Sequence, residues 1–321
     1  MTCYDIFNGD ADGICALQQL RLQEPLQAEL VSGLKRDIDL LGQIRVQHGD
    51  RITVLDISLD KNREALVQAL QCGAEVFYAD HHYAGEIPVD PGLDCHIDVA
   101  ANTCTSLIIN DYLQQAQARW AVVGAFGDNF DAPASELGRS LGLQQAQLDT
   151  LQQLGICLNY NGYGFELEDL LFHPVELYRL VSAYANPLDF VADEPAYAKL
   201  LSQYRDDNAS ARQLRTDSES DSAAVFLLPN EAWAKRIVGV FGNELAKQYP
   251  DRAHALLVDM GDDCHRVSVR APYNRKQGAD DLCRQFEGGG GRKAAAGINQ
   301  LAQDQLSRFI DQFNLQYGPQ K

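Results

Sequence analysis

The residues of this sequence best suited to chemistry are a carboxylate and two imidazoles in a row. Asp80, His81 and His82 follow the largely apolar segment 74–79, whose composition favours a β-strand. In open α/β sheets, ligands bind outside the carboxyl ends of the strands. Two imidazoles at such an end can bind a divalent metal ion, and Asp80 can orient one of them from behind.

Further carboxylates lie near the ends of other predicted strands and helices. They are Asp10, Asp12, Asp56 and Asp128. Each alone is explained as readily by a helix cap or a turn. Together with the two histidines they supply enough ligands for two ions about 3.5–4 Å apart that share one carboxylate. Carboxylate oxygens with one or two imidazoles suit Mn²⁺ or Mg²⁺.

These side chains need a scaffold that brings strand ends together, and the sequence predicts one. Strands and helices alternate, with strands at 3–8, 29–32, 51–57, 74–79 and 95–98 and helices at 61–72, 105–117 and 118–126. This alternation predicts an α/β fold in which helices cover both faces of a parallel sheet. A loop rich in glycine and aromatic residues is predicted at 159–165.

A second region of the chain repeats the α/β pattern on a smaller scale. We predict a first domain at 1–190, a charged connector at 191–221 and a smaller α/β domain at 222–321. The smaller domain contains a predicted glycine-rich loop at 287–297. Its four consecutive glycines, followed by Arg292 and Lys293, suit a close approach of the backbone to a phosphate.

Composition narrows the classes of partner. The 321 residues carry 27 Lys+Arg against 45 Asp+Glu, a formal net charge of −18. Long nucleic acids are bound mainly through basic side chains, so a small anionic ligand is favoured over a long strand. The sequence predicts no signal peptide and no membrane span. The eight cysteines form no Cys-x-x-Cys pair, which indicates reduced thiols and a cytoplasmic protein.

Five ordered segments resemble the motifs of a known family, the DHH phosphoesterases. They are Asn8 to Gly13, Val54 to Asp56, Asp80 to His82, Gly127 to Asn129, and, for the DHH-associated C-terminal domain, residues 268–270 with 288–297. The family includes single-strand exonucleases, oligoribonucleotide hydrolases (nanoRNases), cyclic-dinucleotide phosphodiesterases and pyrophosphatases. The short two-domain layout is similar to the nanoRNase and phosphoadenosine phosphatase branch.

The resemblance implies a role for each matching residue. Asp12, Asp56, His81 and Asp128 would bind one Mn²⁺ ion, and Asp10 with the shared Asp56 would bind a second. His82 would face the substrate phosphate, and Asp80 would act as a catalytic residue behind the metal ligands. The residues expected to bind substrate are Asn8, Arg270, Gly289, Gly290, Gly291 and Arg292.

Three positions depart from the family pattern. Ile6 stands where the branch with a short first motif has a histidine, and Asn8 stands where the exonuclease-like version has an additional aspartate. One of the two ions therefore loses an expected ligand. Arg292 replaces the histidine that usually follows the glycines. Arginine can bind a phosphate or the Hoogsteen edge of guanine through two hydrogen bonds, which indicates a guanine-containing substrate.

The sequence thus predicts a metal-dependent phosphodiesterase that hydrolyses very short oligoribonucleotides to nucleoside 5′-monophosphates. Dinucleotides with a 5′-phosphate, such as pGpG, are the first expected substrates. Two alternatives stay open: a 3′-phosphoadenosine phosphatase or polyphosphate hydrolase that uses the same metals, and a non-catalytic nucleotide-binding sensor. The sequence also leaves open whether the chain forms a homodimer.

Overall fold

The structure, a computed structural model, describes residues 1–318 and divides the chain into two compact units. The first unit is Met1–Ser202, and the second begins at Gln203. This division falls inside the predicted connector, 191–221. That segment contains all of a long helix (Pro195–Ala211) and a strand (Thr216–Glu219) that pairs with the strand after it.

The first unit contains a five-stranded parallel sheet. Its strands lie in the order β2-β1-β3-β4-β5, with bounds β1 Cys3–Phe7, β2 Glu29–Val31, β3 Arg51–Leu55, β4 Glu75–Asp80 and β5 Leu93–Ile97. The helices are α1 Ala11–Gln23, α2 Leu59–Gln71, α3 Thr105–Tyr112, α4 Ala118–Gly127, α5 Asp131–Ser140, α6 Gln145–Gly162, α7 Pro174–Val181, α8 Pro187–Asp193 and α9 Pro195–Ala211. The chain enters the second unit within α9.

Strand β3 shows why helices cover both faces of this sheet. Ile52 and Val54 belong to a buried apolar cluster that includes Leu66 of α2. Thr53 points to the opposite face, where its hydroxyl accepts a hydrogen bond from Arg21 of α1 at 2.7 Å. Successive side chains of a strand alternate between faces, so α1 and α2 lie on opposite sides. The predicted parallel sheet flanked by helices is confirmed.

The second unit is built on a mixed six-stranded sheet in the order β10-β11-β9-β8-β7-β6. Its strands are β6 Thr216–Glu219, β7 Ala223–Leu228, β8 Ala253–Gly261, β9 Cys264–Arg270, β10 Gly289–Arg292 and β11 Ala295–Ala302; its helices are α10 Ala232–Gln248, α11 Ala279–Cys283 and α12 Leu306–Tyr317. Only β7 and β8 pair in parallel among the described strands of this sheet. The predicted smaller α/β domain is confirmed as a fold.

Two predicted loops are wrong in part. Residues 159–162 of the predicted aromatic loop form the last turn of α6, and Tyr160 is fully buried there. In the predicted glycine-rich loop, Gly289–Arg292 form strand β10, which pairs antiparallel with β11. Within residues 1–318, no helix is long and apolar enough to cross a membrane.

Candidate metal centre

The start of α1 holds two of the predicted ligands. Asp10 is the N-cap residue, and its Oδ1 accepts hydrogen bonds from the amides of Asp12 (3.0 Å) and Gly13 (3.1 Å). A Cβ at Gly13 would lie 2.3 Å from the carbonyl oxygen of Asn8, so this tight turn requires glycine. Asp10 therefore caps helix α1 through its Oδ1, while its Oδ2 accepts a hydrogen bond from Lys35.

Asp12 is held by a second helix, α3. The amide of Thr105 donates to its Oδ2 at 2.8 Å, and the amide of Ser106 donates to its Oδ1 at 2.7 Å. Amides at a helix N-terminus favour a negative charge. Even so, burial raises the pKa of Asp12, and the nearby carboxylates of Asp128 and Asp10 add to that rise.

Asp56 follows β3 directly, with its backbone in the left-handed region (φ 59°). Its amide donates to the carbonyl oxygen of Ala79, and the hydroxyl of Thr105 donates to its Oδ1 at 3.0 Å. Burial raises the pKa of this carboxyl well above its usual value, and the charges of Asp12 and Asp10 raise it further. A buried aspartate held in the left-handed region is a candidate functional residue, and its carboxylate is a suitable ligand for a cation.

His81 lies between the strand ends. Its Nε2 is 3.5 Å from Asp56 Oδ1 and 3.6 Å from Asp128 Oδ2. Two sets of three side chains place ligand atoms within 4.8 Å of one another. These sets are Asp56, His81 and His82, and Asp12, His81 and Asp128. The two sets share His81, so the structure places Asp12, Asp56 and Asp128 around this one imidazole.

His82 is positioned by Asp80, the last residue of β4. The Nδ1 of His82 lies 2.7 Å from Asp80 Oδ1. Asp80 is completely buried, and its Oδ2 has no hydrogen-bond partner among the described residues. The side chain of His82 remains 30% exposed. Asp80 therefore fixes the orientation of an imidazole that solvent, and hence a ligand, can reach.

A divalent cation fits this set of side chains. Burial raises the pKa of Asp56 and the neighbouring carboxylates raise it further, and a cation would favour the charged form of these groups. The donor atoms are oxygens with imidazole nitrogens, which Mn²⁺ and Mg²⁺ accept and which offer no thiolate for a softer metal. Asp12, Asp56, His81 and Asp128 are the residues that would hold such an ion.

Two of the predicted ligands, Asp10 and Asp128, pair with a lysine that sequence reasoning missed. The ammonium of Lys35 bonds to Asp10 Oδ2, lies 3.0 Å from Asp128 Oδ1 and lies 2.9 Å from Asn159 Oδ1. Burial by itself would lower the pKa of Lys35, but the carboxylates of Asp10 and Asp128 outweigh it and raise that pKa well above its usual value.

Two of the three positions that depart from the family pattern, Ile6 and Asn8, are buried. Ile6 is fully buried in the apolar cluster around β3. Asn8 is 3% exposed; its Oδ1 accepts from the amide of Asp10, and its Nδ2 donates to the carbonyl oxygen of Lys35. Asn8 thus anchors the Lys35 segment, and its contact with substrate stays a prediction.

The remaining predicted substrate-binding residues belong to the second unit. Arg270 in β9 donates to Asn243 Oδ1 at 2.7 Å and to Ser268 Oγ at 2.9 Å. Arg292 ends β10, where its side chain is exposed. The glycines before it are Gly289, Gly290 and Gly291; a Cβ would collide at the first and third, whereas at Gly290 it would meet nothing within 4 Å. The roles of these residues toward a substrate stay predictions.

Comparisons with known proteins identify the fold. No family model and no curated protein sequence matches the chain. Among solved structures, exonuclease RecJ bound to manganese superposes with a TM-score of 0.64 at 16% identity, covering 98% of this chain and 89% of that chain. RecJ in complex with Mn²⁺ from Thermus thermophilus gives 0.63 at 17% identity, and this chain spans 52% of its length.

A third similar structure has almost the same extent as this chain. It is the pGpG-specific phosphodiesterase PggH from Vibrio cholerae, with a TM-score of 0.58 at 13% identity and 98% coverage of both chains. These neighbours are DHH-family phosphoesterases, so the two-domain fold predicted from the five motifs is confirmed.

Proposed function

We propose that this chain is a divalent-metal-dependent phosphodiesterase that hydrolyses very short oligoribonucleotides with a 5′-phosphate. The single observation that carries the proposal is the presence of two candidate ligand sets that share His81: Asp12 with Asp128, and Asp56 with His82. The same fold serves RecJ, solved with manganese, and PggH, described as a pGpG-specific phosphodiesterase.

Divalent ions bound by these residues would stabilise the negative charge that develops on a phosphoryl group and would activate a water molecule. The chain's own side chains provide the positioning. Thr105 and the N-terminus of α3 fix Asp56 and Asp12, so their carboxylates need little rearrangement on binding a cation. Asp80 holds His82 so that its imidazole can donate a hydrogen bond to a phosphate oxygen of the substrate.

Two features favour a short substrate over a long strand. The net charge of −18 repels a long polyanion, whereas a dinucleotide needs only a few local cations. Local cations occur where β10 ends, since Arg292 and the following Lys293 are both exposed. An arginine there could bind a terminal phosphate or a guanine through two hydrogen bonds.

Manganese-dependent hydrolysis of 5′-labelled RNAs from two to about twenty nucleotides long, resolved product by product, tests the proposal. We expect cleavage of the shortest RNAs to nucleoside 5′-monophosphates. Efficient degradation of the longer strands would instead indicate an exonuclease. Release of phosphate from a 3′-phosphoadenosine nucleotide or polyphosphate, with no cleavage of any RNA, would favour the phosphatase alternative.

The nucleotide-sensor alternative needs its own measurement, because it predicts binding without turnover. Calorimetric titration of pGpG into the manganese-loaded protein, alongside the hydrolysis assay, separates the two. Tight binding with no product at saturating Mn²⁺ would contradict the enzymatic proposal. The variant Lys61→Met, which changes an exposed side chain of α2, serves as a control for handling and folding.

A further inference from the structure

The ammonium of Lys35 lies in the candidate metal centre, surrounded by oxygen atoms that could also bind a metal ion. Its ammonium contacts carboxylate or amide oxygens of Asp10, Asp128 and Asn159. An ammonium carries three N–H groups, so these three acceptors satisfy all of them. Asp10 and Asp128 are thereby neutralised in part by the chain itself.

The two oxygens of Asp128 serve different positive groups. Oδ1 lies 3.0 Å from Lys35 Nζ, while Oδ2 lies 3.6 Å from His81 Nε2. The Oδ2 side belongs to the set formed with Asp12 and His81, which would hold one divalent ion. Asp10 and Oδ1 of Asp128 would be ligands of a second ion, but the ammonium of Lys35 already contacts both carboxylates.

The backbone holds Lys35 in this place. Its amide donates to the carbonyl oxygen of Gly162 at 2.9 Å, and its carbonyl oxygen accepts from Asn8 Nδ2 at 3.1 Å. The side chain is 23% exposed, so it has a route out towards solvent. A divalent ion that takes Asp10 must therefore displace a positioned ammonium or share carboxylates with it at the cost of repulsion.

We propose that Lys35 is a built-in cation that competes with the second divalent ion for Asp10 and Asp128, so that the centre loads its two ions with unequal affinity. The ion held by Asp12, His81 and Asp128 Oδ2 binds first and tightly. The second ion binds only when its concentration, or the charge of an arriving substrate phosphate, favours it over the ammonium. This inference rests on the proposed function, because it takes the carboxylate cluster to be a metal centre.

Manganese titration by calorimetry and electron paramagnetic resonance of the wild type and of Lys35→Met tests the inference. Methionine keeps the length of the side chain and removes its charge. We expect two classes of site in the wild type, separated by at least about tenfold in Kd, and a weaker site that tightens roughly 10- to 100-fold in Lys35→Met. The signal of coupled manganese pairs should appear at a correspondingly lower Mn²⁺ concentration in the variant.

Lys61→Met is the matched control, since it removes the same charge from an exposed position in the same unit. It should leave both dissociation constants unchanged within about twofold, because exposed charges are screened. A weaker site in Lys35→Met with unchanged or lower affinity would overturn the inference.

If Lys35→Met fails to fold, manganese titration of the wild type alone still tests the inference. Two manganese sites of equal affinity in the wild type would refute the competition by Lys35 and leave the proposed function standing. No manganese binding at all would refute the proposed function and, with it, this inference.

Discussion

The candidate metal centre of the first unit and a buried ion pair of the second unit compensate buried carboxylates in different ways. In the first unit, buried carboxylates gather at one edge of the sheet, and they include Asp10, Asp12, Asp56 and Asp80. In the second unit, a buried charge has its own partner, as in the pair of Arg236 Nε with Asp207 Oδ2 at 2.9 Å.

The difference distinguishes a buried charge that is neutralised within the fold from buried carboxylates that are candidate ligands for a cation. A paired buried charge such as Asp207 is compensated within its own unit and needs nothing more. In the first unit, burial raises the pKa of Asp56, and the carboxylates of Asp12 and Asp10 raise it further. A buried group of carboxylates with this property is a candidate ligand set for a cation, as proposed above.

The largest loss of activity is expected when the negative charge of Asp56 is removed. Asp56→Asn keeps a residue type that tolerates the left-handed backbone of position 56, whereas Asp56→Ala adds strain to the loss of a ligand. We expect hydrolysis to fall by at least ~100-fold in both variants, with the fold retained. Loss of a direct metal ligand should reduce activity more than loss of a residue that only orients the ligands. Steady-state assays with circular dichroism as the folding control measure this. Turnover near that of the wild type would contradict the metal site.

A smaller loss should follow when His82 loses its support. Asp80→Asn keeps the shape of the side chain but not its charge, so the imidazole is held less firmly. We expect kcat to fall roughly 10- to 100-fold, with KM changed much less. The comparison with His82→Gln sharpens the test, since the double variant should lose little beyond the single ones. Fully additive losses would show that the two residues act separately.

In the second unit, the predicted effect is on stability. His254 is completely buried, and burial, with a smaller contribution from Arg252, lowers its pKa from the usual 6.5 to about 4. The unfolded chain therefore takes up the proton more readily than the folded one, so stability present above pH 6.5 is lost as the pH falls towards 4.

Urea unfolding of the wild type and of the non-titrating variant His254→Gln measures this contribution. Between about pH 7.5 and about pH 5, the free energy of unfolding should fall by about 2 kcal/mol more in the wild type. Equal losses in the two proteins would show that His254 is not protonated on unfolding. Because this residue lies outside the metal centre, Mn²⁺ should leave the difference between the two proteins unchanged.

The smallest effect is expected at the exposed end of β10. Arg292→Ala should raise KM about tenfold and leave kcat nearly unchanged, because a remote contact contributes to binding rather than to the reaction. Arg284→Ala is a suitable control, since Arg284 is also an exposed arginine of this unit and pairs with Asp280. A loss confined to kcat in Arg292→Ala would contradict its role in holding the substrate.

Part of the candidate site could be predicted because Asp56 and Asp80 lie at the ends of strands. A polar residue after a buried parallel strand must emerge at the sheet edge, which placed Asp56 and Asp80 correctly from sequence alone. The left-handed backbone of Asp56 carried no sequence signal, because aspartate occupies that region less often than glycine or asparagine. The sequence predicted that Asp56 lies at the end of β3, but not that its backbone is left-handed.

Lys35 and Asn159 could not be found in this way. Both reach the centre from segments distant in sequence, since Lys35 contacts Asp128 and Asn159 across 93 and 124 positions. One signal was available for Lys35, which follows β2 closely and so lies near the same sheet edge as Asp10. Asn159 was hidden because its neighbouring glycines and tyrosines suggested a loop where the chain is helical.

The glycine-rich segment shows a different limit of sequence reading. A run of glycines suggests a flexible loop, but Gly289 lies in a strand. Position 289 requires glycine because a Cβ there would come within 1.9 Å of the carbonyl oxygen of Cys283. Only a three-dimensional neighbour reveals that requirement. Gly288 and Gly290 have no such neighbour within 4 Å.

The most direct test of the central claim is a crystal structure grown with Mn²⁺ and measured at the manganese absorption edge. The account predicts an anomalous peak within ligand distance of Asp12, Asp56, His81 and Asp128, roughly 2.0–2.6 Å from their donor atoms, the range for hard-cation oxygen and imidazole ligands. A peak only elsewhere on the protein, or none in crystals soaked with excess Mn²⁺, would contradict it.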